Sequence, residues 1–352
     1  MLTAVNAYRA AAGVPPVAMD PSLSKGCREH AAYMVENRGK PQLYSINAHH
    51  QDPTLPGATP EGAACGRAAD LYPNIDDPVH AVHGWMASVY HRRPIIAPNV
   101  QTVGIGYAPL PAGGRFAFAL QFVWGSAPPS AFPVVYPANG QVDVPVDMVR
   151  EEPNPIPPPV VFAGHPITLN FPAYEPLTGA SATLVDGAGQ PVPFFFSSPE
   201  QPASKYNDQP GIVALIPKEP LKTSTRYTAM ITATWNGVLT TRMSTFTTMP
   251  RAIVDATDEA ALIANVGKPV LLRGTIASAS DMGFAYLTLE APRGKTITTV
   301  VVEVLLGIVG GTSREKLYAL RGRVIEAEGT PTLNYGSLHV AIQSPSGFRF
   351  VK

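Results

Sequence analysis

The sequence predicts a multidomain chain, α+β in its first third and all-β in the rest. Three observations predict this: the length, the proline and glycine content, and the confinement of helical periodicity to the N-terminal part. At 352 residues the chain is too long for one ordinary core, since domains run to about 100–200 residues. Its 38 prolines and 30 glycines favour short strands, ordered loops and extended linkers over helical bundles. Hydrophobic residues at 45% against charged residues at 15% supply packed cores and exclude global disorder. Lys+Arg and Asp+Glu both total 26, so no surplus of one sign drives adhesion to nucleic acid or to an anionic membrane. The longest apolar runs, such as residues 299–309, fall well short of the roughly 20 residues that a spanning helix needs. No export-signal pattern opens the chain, because Met1 leads almost at once into an amphipathic helical segment.

Two breaks give three segments, expected as domains over 1–127, 128–250 and 251–352. The first is the run PPSAFPVVYPANGQVDVPVDMVREEPNPIPPP, whose proline density no helix survives. The second falls near Met249-Pro250-Arg251. In the first segment, Leu23, Cys27, Ala31 and Met34 recur at helical spacing, with Pro21 suited to the first turn and Gly39 to the stop. Asp77 and Pro78 start a second helix striped by Val82, Trp85, Met86 and Val89. The runs TVGIGYA and RFAFALQFVW read as strands joined by a PAGG hairpin loop, so helices pack on a small sheet. The middle segment carries ITLNF, ATLV, IVALI and YTAMITATW between turn residues, the pattern of a β-sandwich. The last segment runs VLLRGTIAS, FAYLTLE, TTVVVEV, a short helix around SREKLYAL, RGRVIEAEG and SLHVAIQ. Five strands with a helix between the third and fourth is the order of an OB-type barrel.

Taken in order, VNAYRAAAGVPPVAMDPSLS, REHAAYM, GWMASVYHRRPIIAP, TVGIGYA and FALQFVWG resemble the CAP superfamily of cysteine-rich secretory, antigen 5 and pathogenesis-related proteins, in its bacterial extracellular form. The resemblance covers residues 2–126 and implies an α-β-α sandwich with a central cleft. Family members place two histidines and one or two glutamates there, and some hold a divalent metal. The match assigns one of these to His91 in HRRPIIAP and the other to His49 or His50 in AHHQDP, with His49 preferred. The family's Gly-Glu-Asn turn has no clean counterpart, and Glu61 in TPEGAACGR is the carboxylate left for its role. The second family glutamate would fall near Ser88. From VVYPANGQVDVP onward the chain resembles bacterial Ig-like domains, and the last segment resembles OB-type domains appended to secreted bacterial proteins. Neither carries a catalytic motif.

The cleft set implied by the resemblance is therefore His49, His50, Glu61, His91 and Arg92. Within it, His49, His91 and Glu61 could ligate Zn²⁺ or another divalent metal, Glu61 serving as third ligand or as base for a bound water. A structural reading competes: His91 and Arg92 bond the loop after the Trp85 helix, and Asp52 holds His49. His30, His80 and His83 read as helix-face residues, since His80 and His83 lack a carboxylate or Cys at matching spacing. A Ser88–His91–Asp52 triad lacks a nucleophile elbow. Cys27 and Cys65 make either one bridge, joining the first helix to the TPEG loop, or two buried thiols. The sparse aromatics Phe284, Tyr286 and Tyr335 outline no nucleic-acid groove.

The expected function is that of an exported or cell-surface modular binding protein whose cleft takes a peptide, glycan, lipid or metal. Its partner would be an extracellular ligand or surface protein. The alternatives are a metal-assisted hydrolase working through His49, His91 and Glu61, and a structural cell-surface or fibre subunit that self-associates.

Overall fold

The computed structural model describes residues 1–75, 77–111, 116–158, 160, 163–172, 175–203, 210–294, 296–309, 314–334, 336–342 and 347–351. Most of the expected PAGG loop, Ser313 of the expected short helix, and Tyr335 lie outside them. The chain divides into two compact units. Unit 1 holds residues 1–144, 148–218 and 226–247, and unit 2 holds 145–147, 219–225 and 248–352.

Unit 1 begins with helix α1 (Leu2–Ala11), strand β1 (Ala18–Met19) and helix α2 (Pro21–Glu36). Asp20 starts α2 by accepting hydrogen bonds from the N–H groups of Ser22 and Leu23 at 2.8 and 3.1 Å, with Pro21 in the first turn where its missing N–H costs nothing. Helix α3 (Pro60–Arg67) is capped by the Thr59 hydroxyl on Gly62 N–H, 3.0 Å. Strand β2 (Ala69–Ile75) follows, then α4 (Pro78–Met86), α5 (Arg92–Ile95), β3 (Val100–Pro109) and β4 (Phe116–Trp124). Asp77 caps α4 through Val79 N–H at 2.6 Å.

The strands align as β1-β3-β4-β2, with β1 parallel to β3 and the other pairs antiparallel. Alternation along β4 sends Phe118, Leu120 and Phe122 into a core with Val5 of α1, Trp85 of α4 and Ile95 of α5. Ala117 and Ala119 pack on the α2 side, with Ala31, Met34, Cys27 and Cys65. Helices thus cover both faces of this sheet. The α2 side is tight enough that a Cβ on Gly106 would lie 2.0 Å from the Cys27 carbonyl carbon.

The rest of unit 1 is β. Strands β5 (Val134–Tyr136), β6 (Ile167–Asn170), β7 (Leu177–Asp186), β8 (Phe194–Ser197), β9 (Ile212–Pro217), β10 (Arg226–Trp235) and β11 (Val238–Thr247) form two antiparallel sheets, β5-β6-β9-β8 and β11-β10-β7. The apolar core of the first 127 residues runs on into Val134 and Tyr136.

Unit 2 contains β12 (Ala252–Asp255), α6 (Glu259–Ala264), β13 (Val270–Asp281), β14 (Ala285–Leu289), β15 (Thr299–Val304), α7 (Arg314–Tyr318), β16 (Val324–Gly329), β17 (Pro331–Asn334), β18 (Ser337–Ala341) and β19 (Phe348–Phe350). Its sheet runs β17-β18-β15-β14-β13-β16-β19, with β12 alongside β13. The long β13 pairs with β16 through its first half and with β14 through its second, and β15 lies parallel to β18. Where the sequence predicts a barrel, the described residues form an open sheet, with no ladder joining β17 to β19.

Candidate functional site

Every feature below belongs to unit 1. Two 3₁₀ turns, Pro41–Leu43 and Ser45–His49, follow α2. His30, fully buried on α2, donates from Nε2 to the carbonyl of Ala48 at 3.0 Å and pins the second turn. Burial holds the His30 imidazole down at about 4, against the opposing effect of that hydrogen bond. Gly66 is required here, since a Cβ on it would come within 2.3 Å of the His30 ring. A bond between Cys27 and Cys65 ties α2 to α3 and closes the loop that bears His49.

His49 Nδ1 lies 2.9 Å from the carbonyl of Gly66. A carbonyl only accepts, so Nδ1 carries the proton. Burial lowers the imidazole's proton affinity; the Gly66 bond raises it, and the nearby His91 lowers it again. His49 is therefore neutral at neutral pH, with its lone pair on Nε2.

His91 sits where α4 turns into α5. Its Nδ1 donates to Glu151 Oε2 at 2.8 Å. The same carboxylate accepts backbone N–H groups from Val89 (2.5 Å), Tyr90 (2.9 Å) and His91 (3.3 Å). Burial opposes charge on His91, but the Glu151 hydrogen bond and the Asp70 and Glu151 carboxylates outweigh it and lift the imidazole to about 9. At neutral pH it is an imidazolium, with Nδ1–H on Glu151 and a second N–H at Nε2. Among the described residues, nothing bonds that Nε2.

Both histidines line one cleft of about 350 Å³. It is lined by Leu43, Ser45, Ile46 and Ala48 of the turns, by Leu71, Tyr72 and Pro73 of β2, by Gly84, Trp85 and Ser88, and by residues 149–152. Trp85 is 2% exposed and its Nε1 has no hydrogen-bond partner among the described residues; the same holds for Oδ2 of buried Asp70. Burial drives the Asp70 carboxyl up to about 8, with His91 lowering it and Glu151 raising it.

Of the residues expected in the cleft, the fold brings together His49 and His91. Glu61 stays out: the Thr59 cap puts it in the exposed first turn of α3, where it acts on Lys25 of α2. His50 is exposed and does not line the cleft. Arg92 is fully buried and turned to the protein interior. Its guanidinium donates to the Met86 carbonyl (2.8 and 2.6 Å) and the Pro166 carbonyl (2.5 Å), and contacts His165 Nε2 at 2.9 Å. The Ser88–His91–Asp52 triad does not form, since Ser88 Oγ donates to the Trp85 carbonyl and the Asp52 carboxylate holds Thr54. Among the described residues no group of three His, Cys, Asp or Glu side chains is placed to hold a metal ion. Sequence reasoning missed Glu151 and Asp70. The doubled Glu151-Glu152 in a proline-rich run was the one available signal for the first.

Residues 2–124 match the family model described as CAP: Cysteine-rich secretory protein family. The matched segment contains His49, His91, Asp70 and the disulfide, but not Glu151. No curated protein matches the chain. Among solved structures, CopC from Methylosinus trichosporium OB3b aligns at 15% identity over 34% of this chain and 93% of its own, with a TM-score of 0.23. The S. pombe Stn1-ten1 complex aligns at 19% identity over 24% and 58%, with a TM-score of 0.18. Neither superposition is close enough to transfer a fold. Among the described residues, no helix is long and apolar enough to cross a membrane.

Proposed function

We propose that the chain is an exported or cell-surface modular binding protein, with an α-β-α CAP head, an Ig-like sandwich and an OB-like β module, its sheet open, over the three expected domains. In this reading the head cleft binds a short peptide. One observation carries it: His49 and His91 line one cleft with opposite hydrogen-bonding roles. The neutral His49 presents an acceptor and the charged His91 a donor, the complement of the N–H and C=O of a peptide amide. Leu43, Ile46, Leu71 and Trp85 beside them suit an aliphatic side chain.

The test is calorimetric titration of the full chain at neutral pH with a pool of N-acetylated tripeptides, and separately with soluble glycans and with Zn²⁺. Peptide binding that weakens by about tenfold in His49→Ala or His91→Ala is the expected result, each substitution removing one hydrogen bond of a charged or buried group. Binding of a glycan with none of peptide overturns it.

A second reading, the metal-assisted hydrolase, is favoured by the two Nε2 atoms sharing one cleft. It needs His91 to give up its proton and a third ligand other than Glu61. Zn²⁺ affinity that is weak at neutral pH and rises steeply toward about pH 9 is what this donor pair supports.

A further inference from the structure

The carboxylate that orients His91 comes from a part of the chain that the family match does not reach, 60 residues beyond the histidine. It arrives on a short strap, residues 148–152, fastened on both sides. Met148 N–H bonds the Ala163 carbonyl and Val149 N–H bonds the Ala87 carbonyl, both at 2.9 Å. Met148 also packs with Val89, Ile156, Ala163 and the β9 residues Ile212, Ala214 and Ile216 in one apolar cluster. Residues 149–152 then form a wall of the cleft.

We propose that Glu151 is a positioning residue of the cleft, supplied by this strap, and that it determines which hydrogen-bonding face His91 turns to the ligand. The inference rests on the peptide-binding reading for its ligand but not for its geometry. Glu151 is 6% exposed, and three of its four hydrogen bonds go to backbone N–H groups. Those three are the work of a turn cap. The fourth goes to the side chain of a cleft-lining histidine, which a cap has no need to hold. By engaging Nδ1, it commits Nε2 to the cleft.

The experiment compares the full chain with Glu151→Gln and Glu151→Asp. Glutamine keeps the size but replaces one acceptor oxygen by an NH₂ that faces N–H donors, while aspartate keeps the charge on a shorter arm. Two readouts are taken at neutral pH: affinity for the tripeptide pool, and the His91 ring N–H signals in ¹⁵N-resolved NMR with their exchange with water. We expect a solvent-protected Nδ1–H in the wild type, its loss in Glu151→Gln together with about a tenfold drop in affinity, and partial recovery of both in Glu151→Asp. A Glu151→Gln protein with unchanged affinity and an unchanged, protected Nδ1–H overturns the proposal. So does a wild-type ring whose Nδ1 carries no protected proton, a result that stands even where Glu151→Gln does not fold. Failure of the wild type to bind any peptide would remove the peptide reading alone, and the ring signals would still decide for or against the role of Glu151.

Discussion

Among the described residues of unit 2 each charged pair keeps at least one side chain well in solvent: Arg251 with Glu328, at 34% and 38% side-chain exposure, and Arg349, 72% exposed, with Glu326. The cluster beneath them is aliphatic apart from Phe348. Around the cleft of unit 1 the pattern inverts. Asp70, Glu151 and Arg92 are each less than one tenth exposed, and beside them the His91 side chain is 17% exposed. Buried ionisable groups cost stability unless their partners are well placed, and here several of them gather at one point. The two units thus place their ionisable groups differently: unit 2 pairs them near solvent, and unit 1 gathers them beside one cleft.

The largest effect should come from Arg92→Met. It keeps the volume but strands the Met86 and Pro166 carbonyls without a donor, at about 1–3 kcal/mol for each buried group left unpaired. Denaturant unfolding should show a loss of about 3 kcal/mol or more. A change within the scatter of surface substitutions would mean that water replaces the guanidinium and that this region tolerates charge no better or worse than unit 2.

Next comes Asp70→Asn, whose effect depends on pH. A buried acid raised to about 8 keeps a proton in the folded chain that the unfolded chain releases near 4, so stability falls as pH rises through that window and the penalty is complete above about 8. His91 has the same sign: raised to about 9, its pairing stabilises fully below about 6.5 and is lost as pH climbs through 9. His30, held near 4, acts on the other side and costs stability as pH falls from about 6.5 to 4. Melting curves should therefore show Asp70→Asn above the wild type at about pH 9 and level with it at about pH 4. A gain of equal size at both would assign the effect to packing.

The smallest effect is expected for Glu328→Gln in unit 2. Glu328 and its partner Arg251 are 38% and 34% exposed, and such pairs contribute about 0–1 kcal/mol. A melting shift that approaches that of Arg92→Met would erase the contrast between the units.

The sequence announces those parts of the fold whose signals are local. Helices α2 and α4 are legible because Asp20-Pro21 and Asp77-Pro78 are adjacent start signals before an apolar stripe. Strand β2 is not, because Pro73 interrupts it; the structure tolerates that proline at the edge of the sheet, where no ladder asks for its N–H. The resemblance of residues 2–126 implied that His49 and His91 share a cleft, and both line one. Glu61 was matched by its place in the sequence, but the helix it opens turns it outward. Glu151 lies among prolines with no periodicity to read, and its contacts span about 60 residues, so nothing local points to it. Arg92 shows the limit of motif reading from the other direction: next to a cleft histidine, it serves the interior instead.

The strap also bears on how such proteins could be rearranged by recombination. A crossover placed at residue 126, where the family match has just ended, would transplant both histidines and leave behind the carboxylate that orients one of them. A segment that carries every cleft-lining residue has to extend to Glu152, and to Pro166 if the Arg92 anchor travels with it. The matched stretch ends before the residues that build the cleft do.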